Sequence, residues 1–249
     1  EGQGIRETLL RDLVRRFDVS FVRESATPAE TLAEAGFSSL NLPVMLRILN
    51  GRSASRALGK SNRLWRTAVR SLSPFFNIGV APKPEAERLS DFGPEFDEFW
   101  KRTAPELGIA CARSSAFLNW RYRDHPLRAY QTFVIREKDE LRGSVSVGSH
   151  HERGQQSLSL MELIANPRDP AVLRKLMKQT LAYGRQVGAW GLFAACTHPV
   201  LRRVLLSLGF ISVPRRCEKI YIAQKVSKSP NWVEQGPWWM TSADGNVEI

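Results

Sequence analysis

The chain reads as an α/β protein with a mixed central sheet flanked by helices, in which a complete unit follows the last part of an earlier one. Two observations carry this reading. Stretches with a period near 3.6 alternate with short apolar runs of strand length. In addition, FVRESATPAETLAEAGF at 21–37 and FAACTHPVLRRVLLSLGF at 193–210 share one plan: a strand, a polar break with proline, a short helix, then Gly-Phe.

The elements follow in order. IRETLLRDLVRR at 5–16 puts Ile5, Leu9, Leu10, Leu13 and Val14 on one helical stripe with charges opposite. DVSFVRES alternates as a strand, and PAETLAEA is a helix that stops at Gly36, the residue type that most easily leaves a helix. SSLNLPVMLRILN is strand material interrupted by Pro43. A helix is expected from near Pro94 to Leu107. Another, SSAFLNWRYRDHP, is capped by Ser114 or Ser115 and stops before Pro126. Strands are expected at YQTFVIRE, LRGSVSVGS and QSLSLMELIAN. The helix PAVLRKLMKQTLAYGRQVG then starts with Asp169 as cap and Pro170 in its first turn. The strand WGLFAAC, the helix HPVLRRVLLSLG and the strands FISVPR and EKIYIAQK complete the order. The expected division is 1–50 for the end of the first unit, 51–89 for a linker helix, 90–228 for the second unit and 229–249 for a Trp-rich tail.

With 249 residues and 43% hydrophobic content the chain can build full cores. No stretch reaches the roughly 18 apolar residues of a membrane span, and the start lacks a signal-peptide pattern. Cys111, Cys196 and Cys217 are odd in number and widely spaced, as in a reducing, cytoplasmic setting. His125, His150, His151 and His198 have no partners at metal-site spacing, so no metal is expected.

The formal charge of +11 calls for an acidic partner. Between Glu34 and Glu85 there is no acidic residue, while Arg47, Arg52, Arg56, Lys60, Arg63, Arg66, Arg70 and Lys83 fall there. On a helical wheel the basic residues from Arg52 to Arg70 lie within about a 120° arc. Leu58, Leu64, Trp65, Ala68, Val69 and Leu72 lie opposite. Such a 52–70 helix either packs as a linker with its charges in water or lies on an anionic membrane surface, at the inner face of the cytoplasmic membrane. Nucleic acid is the weaker fit, since no aromatic residues interleave with the basic ones.

The opening Gly2-Gln3-Gly4 before a helix, together with Gly36-Phe37 and Gly209-Phe210, resembles the GNAT acyltransferase superfamily in its tandem form. FLNWRYRDHPLRAYQTFVI and NWVEQGPWWMTSADGN resemble members associated with bacterial polysaccharide and cell-envelope gene sets. The resemblance implies a GNAT-like sheet and transfer of an acyl group from acetyl-CoA, or another acyl-CoA, to an amine such as an amino sugar or envelope precursor. It leaves open a non-catalytic binding module, or aminoacyl transfer of the Fem type. Within it, Gly2, Gln3, Gly4, Ile5 and Arg6 would hold the CoA pyrophosphate at a helix start, where free N–H groups and the helix dipole favour anions. The strand that would support this loop is expected before residue 1, which makes the chain an N-terminally shortened version of its type; a flexible chain end is the plainer reading. The second unit has Asp169 and no glycine at the matching place, and a carboxylate there competes with a phosphate.

The family's frequent acid, a Tyr four residues before the Gly of Gly-Phe, is absent: Leu32 and Leu205 stand there. For the base the candidate is Glu162, which alternation places on one face with Leu158, Leu160 and Ile164, among apolar neighbours that would raise its pKa. An ion-paired structural Glu is the alternative. Trp120, Arg121 and Tyr122 would line the acceptor pocket, with Arg121 on a phosphate or carboxylate, or would simply pack around a salt-bridged Arg. Cys196 and His198 end a strand but have no third partner for a nucleophilic triad.

Overall fold

A computed structural model describes residues 2–16, 19–23, 28–57, 86–224, 238–242 and 244. In chain order the elements are α1 Gly2–Arg16, β1 Val19–Arg23, α2 Ala29–Glu34, β2 Ser38–Ile48, α3 Gly51–Ala57 and β3 Glu87–Leu89. There follow α4 Glu95–Leu107, α5 Ser115–Leu118, β4 Tyr130–Glu137, β5 Glu140–Glu152, β6 Gln155–Ala165, α6 Pro170–Gln186, β7 Gly191–Ala195, α7 Pro199–Ser207 and β8 Ile211–Gln224. The expected basic helix begins as α3, with Arg52 and Arg56 exposed and Ala54 and Ala57 buried. From Leu58 to Glu85, and through most of the tail, the expectations lie outside the described residues.

All eight strands form one sheet in the order β1-β8-β2-β7-β6-β5-β4-β3. The neighbours are antiparallel except β6 and β7, which run parallel. The two expected strands FISVPR and EKIYIAQK are one strand, β8. β2 lies between β8 and β7 and pairs with both. β1 therefore bonds to the long strand β8, and β7 to the long strand β2. The two strand–helix–strand stretches are joined by this exchange of strands.

The repeat is physical at its helix ends. Gly36 and Gly209 have φ of 90° and 77°, in the left-handed region that favours glycine. The Phe37 N–H donates to the Leu32 carbonyl at 2.9 Å and the Gly36 N–H to Ala33 at 2.9 Å. The Phe210 N–H donates to Leu205 at 3.1 Å and the Gly209 N–H to Leu206 at 2.9 Å. Each is a Schellman ending, in which the residue after glycine packs back on the last turn. Leu32 shares a core cluster with Phe37, and Leu205 shares one with Phe210. Leu32 and Leu205 are thus both fully buried core residues.

One face of the sheet packs against α6 and α7 through Val172, Leu173, Leu176, Leu201 and Val204. The opposite face carries Phe92, Phe96, Phe99, Leu118 and Tyr122 at the β4–β6 end, and Trp190, Phe193, Trp238 and Met240 beside β2 and β7. α1 departs from its expected stripe. Leu10 is buried and Val14 half-buried, but Ile5, Leu9 and Leu13 face outward. The helix lies over the edge pair β1 and β8, and through Leu10 and Val14 it joins the cluster of Leu32, Phe37, Tyr221 and Ala223.

Candidate active site

β6 is buried on both faces from Ser157 to Ala165, so alternation of polar and apolar residues does not mark its sides. Against β5, Ser146 pairs with Glu162 and Val147 with Leu160, which leaves Met161 as an extra residue. Such a bulge turns over every side chain beyond it. Leu158 and Leu160 consequently lie under α6 and α7, while Met161 and Ile164 lie in the cluster on the other face. Glu162 meets Tyr122 of that second cluster. The alternation that grouped Glu162 with Leu158 and Leu160 is thereby corrected.

Glu162 is 2% exposed and ion-paired. Arg113, equally buried, donates through Nε to Glu162 Oε2 at 2.5 Å, through Nη2 to Asp244 Oδ1 at 2.5 Å and through Nη1 to the Cys111 carbonyl at 2.8 Å. The Thr241 hydroxyl donates to Glu162 Oε1 at 3.4 Å, and the Tyr122 hydroxyl lies 3.5 Å from Oε2. Beside Glu162 on the sheet, Ser146 and Thr132 join hydroxyls at 2.8 Å.

Two carboxylates share one guanidinium, and this decides the charges. Burial works against the Arg113 cation, yet Glu162 and Asp244 outweigh it and hold its pKa well above the usual value. Burial pushes the Glu162 carboxyl up; Arg113 opposes this, Asp244 adds to it, and the balance stays raised. Burial and the Glu162 charge push the Tyr122 phenol well up against the pull of Arg113 and Arg121, so it is a neutral donor.

The parallel pair β6/β7 is bonded only from Leu158 to Leu160 and Leu192 to Ala194. β6 continues to Ala165 while β7 ends at Ala195, so the strands part just before Glu162. Residues 238–242 lie in this gap. Trp238 bridges to Ile109 and Thr241 to Cys196. The Trp239 N–H donates to the Ile109 carbonyl at 2.8 Å, and its indole N–H to the Leu163 carbonyl at 2.9 Å. The Thr197 hydroxyl donates to the Trp238 carbonyl, and the Met240 N–H donates back to it at 3.1 Å.

The other candidates are placed unevenly. The helix expected over 114–125 is α5 followed by a π turn, Asn119–Arg123. Along it Arg121 and Tyr122 are buried, whereas Trp120 is 66% exposed and packs on Phe117. Tyr122 walls a cleft of about 590 Å³ shared with Arg123, His125, Arg128 and Tyr130. Tyr122 thus stands between this cleft and Glu162. Gly2, Gln3, Gly4, Ile5 and Arg6 lie within α1, so the backbone expected as a loop is helical. α1 packs over β1, four strand steps from β6, roughly 19 Å at the usual spacing. The helix start and Glu162 are not brought together. Asp169 accepts from the Val172 N–H at 3.3 Å and caps α6, and its other oxygen lies 3.5 Å from Arg142. Burial pushes the Cys196 thiol up to about 12, and His198 caps α7 through Nδ1 against the Trp239 ring. Neither is set up as a nucleophile.

Arg113 and Asp244 were absent from the sequence-based candidates. An Arg inside the small, apolar stretch GIACARSSAFL is the signal for Arg113, since a buried cation requires carboxylates.

No protein-family model matches the chain, and no curated protein matches it in sequence. Solved structures match in fold. A GCN5-related N-acetyltransferase from Anabaena variabilis ATCC 29413 is 15% identical with a TM-score of 0.57, covering 89% of this chain and 51% of its own. N-myristoyltransferase of Saccharomyces cerevisiae with bound myristoyl-CoA and inhibitors is 11% identical with a TM-score of 0.62, covering 90% and 57%. A conserved protein of unknown function from Enterococcus faecalis V583, described as a probable N-acyltransferase, is 9% identical with a TM-score of 0.55, covering 90% and 51%. The chain therefore has the fold of GNAT acyltransferases and spans about half the length of these structures. Among the described residues no helix is long and apolar enough to cross a membrane.

Proposed function

We propose that the chain carries acyl-CoA-dependent N-acyltransferase activity toward an amine acceptor, such as an amino sugar or envelope precursor. One observation carries the reading: in a fold shared with acyl-CoA-using enzymes, a parallel strand pair parts at a bulge, and a buried carboxylate, Glu162, stands at the parting. Attack of an amine on a thioester needs a group to take the amine proton. Glu162, reached from the cleft through the Tyr122 hydroxyl, is the proposed base. Trp120, Arg121 and Tyr122 are the proposed acceptor-binding residues, and of these Tyr122 lines the cleft. Gly2, Gln3, Gly4, Ile5 and Arg6 are the proposed hold on the donor phosphates, which places donor anchoring and proton removal at separate parts of the sheet.

The test is thiol release from acetyl-CoA and longer acyl-CoAs with a panel of amines, beside calorimetric CoA binding. Glu162→Gln lowers turnover without weakening CoA binding. Turnover equal to wild type removes Glu162 from the reaction, and a complete absence of CoA binding at millimolar ligand sinks the enzyme reading. A second reading, a non-catalytic module serving an envelope-polysaccharide complex, is favoured by the filled gap and by leucine at both acid positions. Contact of the 52–70 segment with an anionic membrane belongs to that reading as well, and vesicle co-sedimentation decides it.

A further inference from the structure

We infer that Asp244 is a positioning residue for the candidate base: through the shared guanidinium of Arg113 it sets the orientation and charge of the Glu162 carboxylate. The inference rests on the acyltransfer reading only for its link to rate. Its basis is a closed ring of hydrogen bonds. Glu162 Oε2 is held by Arg113, Arg113 by Asp244 Oδ1, Asp244 Oδ2 by the Thr241 N–H at 2.9 Å, and the Thr241 hydroxyl returns to Glu162 Oε1. Both oxygens of Glu162 are thereby tied to the segment that carries Trp239, Thr241 and Asp244. Trp239 fixes that segment to the carbonyl of Leu163, the residue after Glu162, and Thr241 bridges to Cys196 across the gap. The groups facing this site are Arg113, Asp244 and Tyr122, with Cys111 beside Asp244 and Arg121 beside Tyr122. Within the ring one cation answers two carboxylates, so removing the Asp244 charge leaves Arg113 to Glu162 alone.

The test is a carbon-13 carboxyl NMR titration of Glu162 in the full chain without ligand. In Asp244→Asn or Asp244→Ser, Glu162 loses its proton at lower pH than in wild type, because a neighbouring negative charge is gone. In Asp244→Glu the midpoint stays close to wild type. Trp239→Phe loosens the same segment without changing charge and leaves the midpoint in place. An unmoved midpoint in a folded neutral variant overturns the inference, as does an equal shift in Trp239→Phe. If neither neutral variant folds while Asp244→Glu does, the carboxylate is only a structural tie and the inference fails. Where turnover is found, the acid limb of kcat/KM moves to lower pH along with the NMR midpoint. A limb that stays put while the midpoint moves removes Glu162 from the rate and counts against the acyltransfer reading, leaving the coupling intact.

Discussion

In β1–α2–β2 the helix ends through Leu32, Gly36 and Phe37; in β7–α7–β8 it ends through Leu205, Gly209 and Phe210, with the same two backbone hydrogen bonds. The long strands β2 and β8 then pair with each other and with the short strand of the opposite half. Their surroundings differ. β7 runs parallel to β6 and parts from it beside Glu162, Arg113 and Asp244. β1 bonds only to β8 among the described strands, and the core beside it is a small cluster around Leu10, Leu32 and Phe37. Among the described residues, one frame used twice thus carries a buried ionic site beside its second copy. The backbone repeat and the chemistry can be broken separately.

The largest effect is expected from Arg113→Ala. It leaves Glu162 and Asp244 buried without their cation, and breaking a buried pair in this way costs about 3–5 kcal/mol. The drop is read from the urea midpoint. A loss under about 1 kcal/mol would mean that water reaches the carboxylates and that the site is not the dry ring described.

The paired substitutions Leu205→Ala and Leu32→Ala come next. Both remove a fully buried side chain at the same place in a Schellman ending, where Leu→Ala costs about 2–5 kcal/mol. Leu205 sits in the large cluster between the sheet and the helices α6 and α7, which cannot collapse around a void. Among the described residues Leu32 sits in a small cluster with Leu10, Phe37, Tyr221 and Ala223 at the sheet edge, which can. Leu205→Ala is therefore the costlier of the two in urea unfolding; equal losses would show that the halves are packed alike.

What the sequence disclosed follows the same division. Gly36-Phe37, Gly209-Phe210 and Asp169-Pro170 were legible because each is a local backbone requirement met by neighbours in the chain. The Met161 bulge was not, since SLSLMELIA is apolar on both faces and a slipped register leaves no trace in its pattern. Arg113 and Asp244 are 131 residues apart, and only the fold brings them together. The three-residue strand β3 has too little length for a period to show. The exchange of β2 into the later half is likewise a matter of long-range pairing, and local propensity says nothing of it.

The smallest expected effect concerns the two helix starts, α1 with glycines and α6 with Asp169. The Asp169 carboxylate satisfies the Val172 N–H, so Asp169→Ala should cost about 1 kcal/mol. The stripped helix start then has free donors next to Arg142, and inorganic phosphate should restore part of the loss. Wild type should gain nothing from phosphate at that position, because its own carboxylate already fills it. The readout is the thermal midpoint of both chains with and without phosphate. Recovery confined to Asp169→Ala would show that the α6 start excludes phosphate by carrying its own anion, and would sharpen the case for seeking donor phosphates at α1. Equal phosphate effects in both chains would remove that distinction between the halves.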